Sequence, residues 1–252
     1  MRAIDRFGPA TLGLGAFIMF LVVVEILIRA GVINGYIVPL PSAVVVALER
    51  VVTEEGVVPR FVLTAGEAFA AGLLVAGIGI PAGILLFSVN LLRRATENWV
   101  AAFAAAPVVL VYPLFLVIFG RSSWTIIAIG TVAGLPPVIL KTLEGLSGVR
   151  PVLIRVGASF NLTRWQQFRT ILFPAAVPTI FAGLRLGLIF AMINVVGVEF
   201  LINFGGLGPL INELSERYDM PGTYAAICFV VLVSVLFFLL VERVEKWLRP
   251  AS

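Results

Sequence analysis

The stretch RVGASFNLTRWQQFRTILFP, Arg155 to Pro174, is polar and basic and stands between two long apolar runs. Its local signals predict two short helices joined by a sharp turn. Pro151 suits a first helical position, and Asn161 tolerates the left-handed conformation that ends a helix, which bounds one element at residues 151 to 160. Thr163 and Gln166 have the spacing of a capping box, in which each side chain satisfies an orphan amide at the start of the second helix. Trp165, Phe168 and Leu172 would share one face of it, with Arg164 and Arg169 away from the centre of that face. Pro174 would interrupt before the next apolar run. A short amphipathic element with aromatic knobs and arginines meets either lipid headgroups or a partner protein, and the pattern alone leaves both open.

The flanking runs point to a bilayer. The chain has 252 residues, 60% of them hydrophobic and 13% charged, and a mean hydropathy of +1.09, against about 45 to 50% apolar and about 25% charged in ordinary soluble domains. This is an all-helical integral membrane protein, a single transmembrane domain over residues 1–252, so a net charge of +4 bears on topology and not on nucleic acid. A lone cysteine, Cys228, excludes an intrachain disulfide. Histidine is absent, and with it the commonest general base and metal ligand. No catalytic residue and no metal site is expected.

Six spans are predicted. The first runs from Leu12 to Ile28, broken only by Glu25 and followed by no small-residue cleavage site. A short helix at Ser42 to Thr53 follows, started by Pro41 and Ser42. The second span runs from about Phe61 to Phe87 and is closed by Asn90 to Asn98. Within it Ala68, Gly72 and Ala76, and separately Gly79 and Gly83, have the small-residue spacing that lets helices approach closely. The third, about Trp99 to Phe119, is expected to bend at Pro107 and Pro113. The fourth, about Trp124 to Leu143, is expected to be interrupted at Gly134, Pro136 and Pro137. The fifth covers about Ala175 to Phe200, and the sixth Tyr224 to Val241, with Trp247 as an interfacial anchor.

Basic residues orient the spans. Arg2, Arg6, Arg93, Arg94, Lys141, Arg150, Arg155, Arg164, Arg169, Arg243, Lys246 and Arg249 fall on the side of both termini; Arg29, Arg50, Arg60, Arg121 and Arg217 fall on the other. The imbalance predicts cytoplasmic termini and a cytoplasmic Arg155 stretch. Intramembrane charge is expensive and faces a partner or a wet cavity. Glu67, Arg185 and Glu199 are therefore candidates for a translocation path or gate, the other reading being a structural pair or a reach to water at a membrane edge. Asn194, Tyr112 and Phe115 are further candidates for its lining. Glu25, one turn before Arg29, reads as a local pair. The stretch Asn203 to Gly222 carries Glu213, Glu216 and Asp219 against Arg217, an acidic loop able to touch a docking protein.

The stretch at Arg155 to Pro174 with the following AAVP resembles the cytoplasmic signature loop of permease subunits in binding-protein-dependent ABC importers. The family pattern is Glu-Ala-Ala, three residues, Gly, nine residues, then Ile-x-Leu-Pro. It falls here on Arg155, Val156 and Gly157, on Asn161, and on Ile171 to Pro174, with Arg155 in place of the Glu and Asn161 in place of the Gly. VPLPSAV at Val38 to Val44, GLRLGL at Gly183 to Leu188 and GGLGPLI at Gly205 to Ile211 are also similar to family motifs, in the branch associated with nitrate, sulfonate, taurine, bicarbonate and vitamin-precursor uptake. The resemblance implies half of a pore in a bacterial inner membrane. Its implied partners are a second permease copy or a homologous chain, two ATPase subunits and an extracytoplasmic substrate-binding protein. It also implies ATPase coupling through a segment at about 150–174, at Arg155, Gly157, Ser159, Asn161, Arg164, Trp165, Phe168, Arg169 and Pro174. The sequence holds no Gly-x-x-x-x-Gly-Lys-Ser/Thr loop, so this chain carries no cofactor of its own, and ATP and magnesium would be held by the partner ATPase.

The competing reading is an ion-gradient-driven carrier or channel with Glu67, Arg185 and Glu199 as a relay; no inverted repeat relates the two halves. An intramembrane enzyme fits worse, for want of His and of clustered Asp or Glu within the spans.

Overall fold

The structure, a computed structural model, describes residues 9–248, with side chains over residues 11–243. Arg2, Arg6 and Arg249, used above for orientation, lie outside the described residues, and Trp247 is described by its backbone alone. Regular structure among the described residues is helical throughout: α1 (Pro9–Arg29), α2 (Pro41–Glu54), α3 (Val57–Ser88), α4 (Asn90–Ala104), α5 (Tyr112–Phe119), α6 (Ser123–Ser147), α7 (Pro151–Ser159), α8 (Arg164–Gln167), α9 (Phe173–Ile202), α10 (Gly208–Glu216) and α11 (Met220–Leu248). Five helical stretches are long and apolar enough to cross a membrane, and a sixth forms if the bent pair around residues 90–119 is one span.

The chain falls into two compact units. One joins residues up to 59 with 210–231. In it the Glu25 carboxylate pairs with Arg29 at 2.7 Å, as the spacing predicts, and also receives the Ser42 amide at 3.1 Å and the Ser42 hydroxyl at 2.9 Å. An acidic side chain of α1 thus satisfies an orphan amide in the first turn of α2. The expected acidic loop is largely a helix, α10, and its flanking charges are taken. Arg217 bonds both oxygens of Glu55 at 3.1 Å, and Arg50 pairs with Asp219. Asp219 beside it raises the Arg50 guanidinium above its ordinary pKa.

The other unit comprises residues 60–209 and 232 onward. Its centre is the antiparallel pair α6 and α9. Here the small residues decide the packing. A Cβ on Gly134 would come within 2.7 Å of the Gly187 carbonyl oxygen, and one on Gly187 within 2.7 Å of the Gly134 carbonyl oxygen. Four residues to either side the register repeats, with Gly130 against Ala191 and Gly183 against Pro137 and Lys141. Without a hydrophobic drive between helices in lipid, such close backbone approach is what holds the pair. On α3, Gly79 faces Val138 and Gly83 faces Thr142 and the Ile139 carbonyl, so these two glycines pack helices as their spacing predicts.

Three expectations change. The fourth span is not interrupted: α6 runs through Pro136 and Pro137, because an intramembrane proline is tolerated where neighbouring helices cover the freed carbonyls. Pro174 does not break the chain either. It sits in the first turn of α9, after a π-helical turn at Phe168–Leu172, and Arg164–Ile202 is one continuous 39-residue run. A proline supplies no amide to the preceding turn, and the wider winding absorbs the defect. The third span is broken more deeply than a bend. Chain order is α4, a 3₁₀ turn at Val108–Val111 and then α5, with 94° between the two arms. Pro107 precedes the 3₁₀ turn and Pro113 stands in the first turn of α5.

Candidate functional site

Residues 151–172 fold into a hairpin that the sequence signals describe closely. Pro151 opens α7. Asn161 adopts φ 51°, and around it the Leu162 amide reaches the Gly157 carbonyl at 3.1 Å while the Asn161 amide reaches that of Ala158 at 2.9 Å. These bonds make a Schellman motif with Asn161 as its left-handed residue. Two residues later the capping box is complete in both directions. The Gln166 amide donates to Thr163 Oγ1 at 3.3 Å and the Thr163 amide to Gln166 Oε1 at 2.9 Å. The two arms are closed on one another by Gln167, whose Nε2 donates to the Ile154 carbonyl at 2.8 Å, and by Gly157, where a Cβ would lie 2.6 Å from Ile171 Cδ1. Ser159 turns its hydroxyl back to the Val156 carbonyl at 2.8 Å. The second arm is not a separate short helix; it continues through the π turn into α9.

The aromatic face divides in two. Trp165 and Phe168 stack with ring centroids 5.8 Å apart. Phe168 and Leu172 pack on the buried cluster of Leu146, Ala176 and Ile180, whereas Trp165 is 68% exposed. An open groove lined by Ile84, Phe87, Arg164, Trp165, Phe168 and Leu172 runs beside them. Arg155, Arg164, Arg169 and Pro174 are all exposed. The hairpin therefore presents a solvent-accessible tryptophan and three guanidinium groups on a base locked into the bundle.

Glu67 and Glu199 come together, away from that hairpin along the same helices. Both are buried, at 3% and 0% exposure, and their carboxyl groups lie near one another, with the Ser123 hydroxyl also near Glu67, although neither Glu67 oxygen completes a hydrogen bond. Two acidic residues of separate spans thus form a pair, where the sequence offered no clustered carboxylates. Asn203, at φ 50°, ends α9, and the glycine-rich segment after it folds back over Glu199. The Gly208 amide donates to Glu199 Oε2 at 3.0 Å, and the Leu207 amide donates to Thr64 Oγ1 at 2.9 Å. A Cβ on Gly206 would fall 2.0 Å from Glu199 Oε1. Thr64 and Ser123 carry no pattern of their own, whereas Gly206 and Gly208 belong to the GGLGPLI stretch already noted for its likeness to family motifs, shortly after Glu199.

The other predicted lining residues do not join this pair. Arg185 lies over the Phe238 ring at 5.9 Å and borders an apolar cavity of about 280 Å³ with Phe69, Leu73, Phe181 and Leu188. Asn194 donates to the Phe190 carbonyl of its own helix at 2.9 Å. Tyr112 and Phe115, both partly exposed, lie on the short arm α5, and Phe115 stacks on Phe119. Among the described residues no group of three His, Cys, Asp or Glu is placed to hold a metal ion.

The family described as "Binding-protein-dependent transport system inner membrane component" matches residues 56–250. The riboflavin transport system permease protein of Chloroflexus aurantiacus is 28% identical over 98% of this chain and 93% of its own length. The formylaminopyrimidine transport permease protein of Halalkalibacterium halodurans is 25% identical over 93% of each chain. The taurine transport system permease protein of Escherichia coli is 26% identical over 95% of this chain and 89% of its own. Among solved structures, a chain of the MetNI methionine ABC transporter in an inward-facing conformation superposes with a TM-score of 0.65 at 21% identity, over 75% of this chain and 94% of that one.

Proposed function

Because the chain belongs to the family of binding-protein-dependent transport system inner membrane components, and is thus a permease of an ABC importer, we propose that it forms half of a pore driven by two separate ATPase subunits. The second half is another copy or a homologous permease. The observation that carries the coupling assignment is the hairpin at 151–172, with exposed Trp165, Arg155, Arg164 and Arg169 on a base fixed by Phe168 and Leu172. Exposed aromatic and arginine side chains on a rigid mount are what a protein partner grips. Motion of the ATPases passes through the continuous Arg164–Ile202 helix into the centre of the bundle. Orientation with the hairpin and both termini in the cytoplasm follows from the basic-residue imbalance.

The solute is a small molecule of the kind named for the relatives, from riboflavin and a formylated pyrimidine to taurine, delivered by a binding protein that carries the selectivity. Apart from Arg185, the charges deep in the two spans α3 and α9 are acidic, which gives the permease little of its own with which to choose an anion. The gradient-driven carrier gives way to this reading through the family match.

The test is to tag the chain in its native membrane, purify it in mild detergent and identify by mass spectrometry what accompanies it. An ATPase bearing a phosphate loop in amounts comparable to the permease is the expected result. A stable chain that emerges without any nucleotide-binding partner would overturn the reading.

A further inference from the structure

Three of the buried polar oxygens left without a hydrogen-bond partner belong to one site: Glu67 Oε1, Glu67 Oε2 and Glu199 Oε1. They face one another from α3 and α9. The groups that reach them are uncharged: the Ser123 hydroxyl from α6, Thr64 from the preceding turn of α3, and the amides of Leu207 and Gly208. Neither Ser123 nor the opposed carboxyl completes a hydrogen bond of normal geometry with Glu67. Thr64 already accepts from Leu207 and donates to the Arg60 carbonyl at 3.2 Å. Arg121, two residues before Ser123, donates to the Asn203 carbonyl. Oxygens concentrated in this way, out of water and reached, among the described residues, only by the uncharged groups just named, are unfavourable unless something positive lies between them.

We propose that Glu67 and Glu199, with Ser123, bind one small monovalent cation, sodium or a proton. The donor set selects against the alternatives. Calcium takes six to eight oxygens and magnesium a near-ideal octahedron, usually with retained water, whereas two carboxyl groups and a hydroxyl shut away from solvent offer fewer. Zinc, copper and nickel favour imidazole or thiolate and manganese an octahedral set of oxygens, and this sequence has no histidine, with its one cysteine, Cys228, exposed elsewhere. Gly206 keeps the place open, since any side chain there would occupy the position beside Glu199 Oε1. Because the segment 203–209 is seated by Glu199 and Thr64, the cation fastens that segment to α3 and α9. In an importer it sets how readily the segment lifts and does not drive transport. The site stands on its own geometry: failure to recover an ATPase partner would remove the importer reading and leave the cation site where it is.

The experiment uses the complex as it comes from the membrane, reconstituted in lipid nanodiscs, for the wild type and for Glu67→Gln. Equilibrium binding of radioactive sodium and the infrared spectrum at neutral pH are recorded on each. Saturable binding of one sodium per chain, abolished in Glu67→Gln, establishes the sodium form. No sodium binding, together with a protonated-carboxyl stretching band at neutral pH that disappears in Glu67→Gln, establishes the proton form. Absence of both signals, or sodium binding unchanged by Glu67→Gln, overturns the proposal. If Glu67→Gln does not accumulate folded, Ser123→Ala replaces it. A several-fold weaker sodium affinity or a shifted carboxyl band is then expected, and no change in either overturns the proposal equally.

Discussion

The hairpin before α9 and the glycine-rich return after it both reverse the chain, and they do so by opposite means. The hairpin is built from near neighbours in sequence: a Schellman turn at Asn161 and a capping box at Thr163 and Gln166 satisfy its amides within a few residues. The return after Asn203 has few such local partners. Its amides are satisfied by side chains brought from α3 and from the end of α9, Thr64 and Glu199. One turn is specified locally and carries its exposed groups outward, while the other is specified by the bundle and encloses a pair of acids. A lesion at the hairpin's exposed groups should therefore damage function while sparing the fold, and a lesion in the return should damage the fold itself.

Gly206→Val is the most severe way to break the comparison. Its backbone, at φ +47°, charges a β-branched residue about 1 to 2 kcal/mol of left-handed strain, and its side chain would displace the Glu199 carboxyl. Disturbing a buried charged or hydrogen-bonded group adds about 3 to 5 kcal/mol. The expected outcome is a chain that inserts but loses its thermal transition or drops it by well over ten degrees (about 2 to 4 °C per kcal/mol for a chain near this size), followed in detergent by intrinsic fluorescence. A variant that stays as stable as the wild type would mean that the return is locally specified after all.

Trp165→Ala and Phe168→Ala sharpen it at the other turn. The two rings stack on each other and share one helical face, so the sequence treats them alike. The bundle does not: Phe168 rests on Leu146, Ala176 and Ile180, and Trp165 projects. Phe168→Ala should destabilise by about 3 kcal/mol, the usual order for a packed phenylalanine. Trp165→Ala should leave the thermal transition within a degree or two and lower ATP-dependent uptake ten-fold or more, a loss of about 2 kcal/mol at a partner contact. Equal loss of stability in both variants would return Trp165 to the status of a packing residue.

The same division explains what could be read from the residues alone. Pro151, Asn161, Thr163 and Gln166 act on their immediate surroundings, so their identity and spacing were sufficient. The paired glycines of α3 were legible for the same reason. The continuity of α6 through Pro136 and Pro137, and of the Arg164–Ile202 run through Pro174, depends on neighbours that cover the freed carbonyls and on a π turn that no local signal announces. Glu67 and Glu199 are 132 positions apart, and only the register of helices packed through their glycines makes them neighbours. Each is visible as a costly intramembrane charge, and the residues alone group both with Arg185; that the two acids pair while Arg185 lies over Phe238 is not legible there.

Asn161→Gly is the mildest test and bears on the hairpin's most local feature. Glycine adopts the left-handed region without a Cβ penalty, so the substitution favours the folded turn; it also frees the unfolded chain, which works the other way. The two terms nearly cancel, and the expected change in stability is about 0.5 kcal/mol or less. Asn161→Ala keeps the Cβ and loses the short polar side chain that eases asparagine into this region, so it should cost about 1 kcal/mol. Because the Leu162 and Asn161 amides bond to carbonyls of α7 only while residue 161 is left-handed, their hydrogen exchange reports the turn directly. Slow exchange retained in Asn161→Gly and accelerated in Asn161→Ala would show that the motif holds by backbone geometry. Acceleration in both would instead assign the turn to contacts of the asparagine side chain, and the hairpin would then depend on its surroundings as the glycine-rich return does.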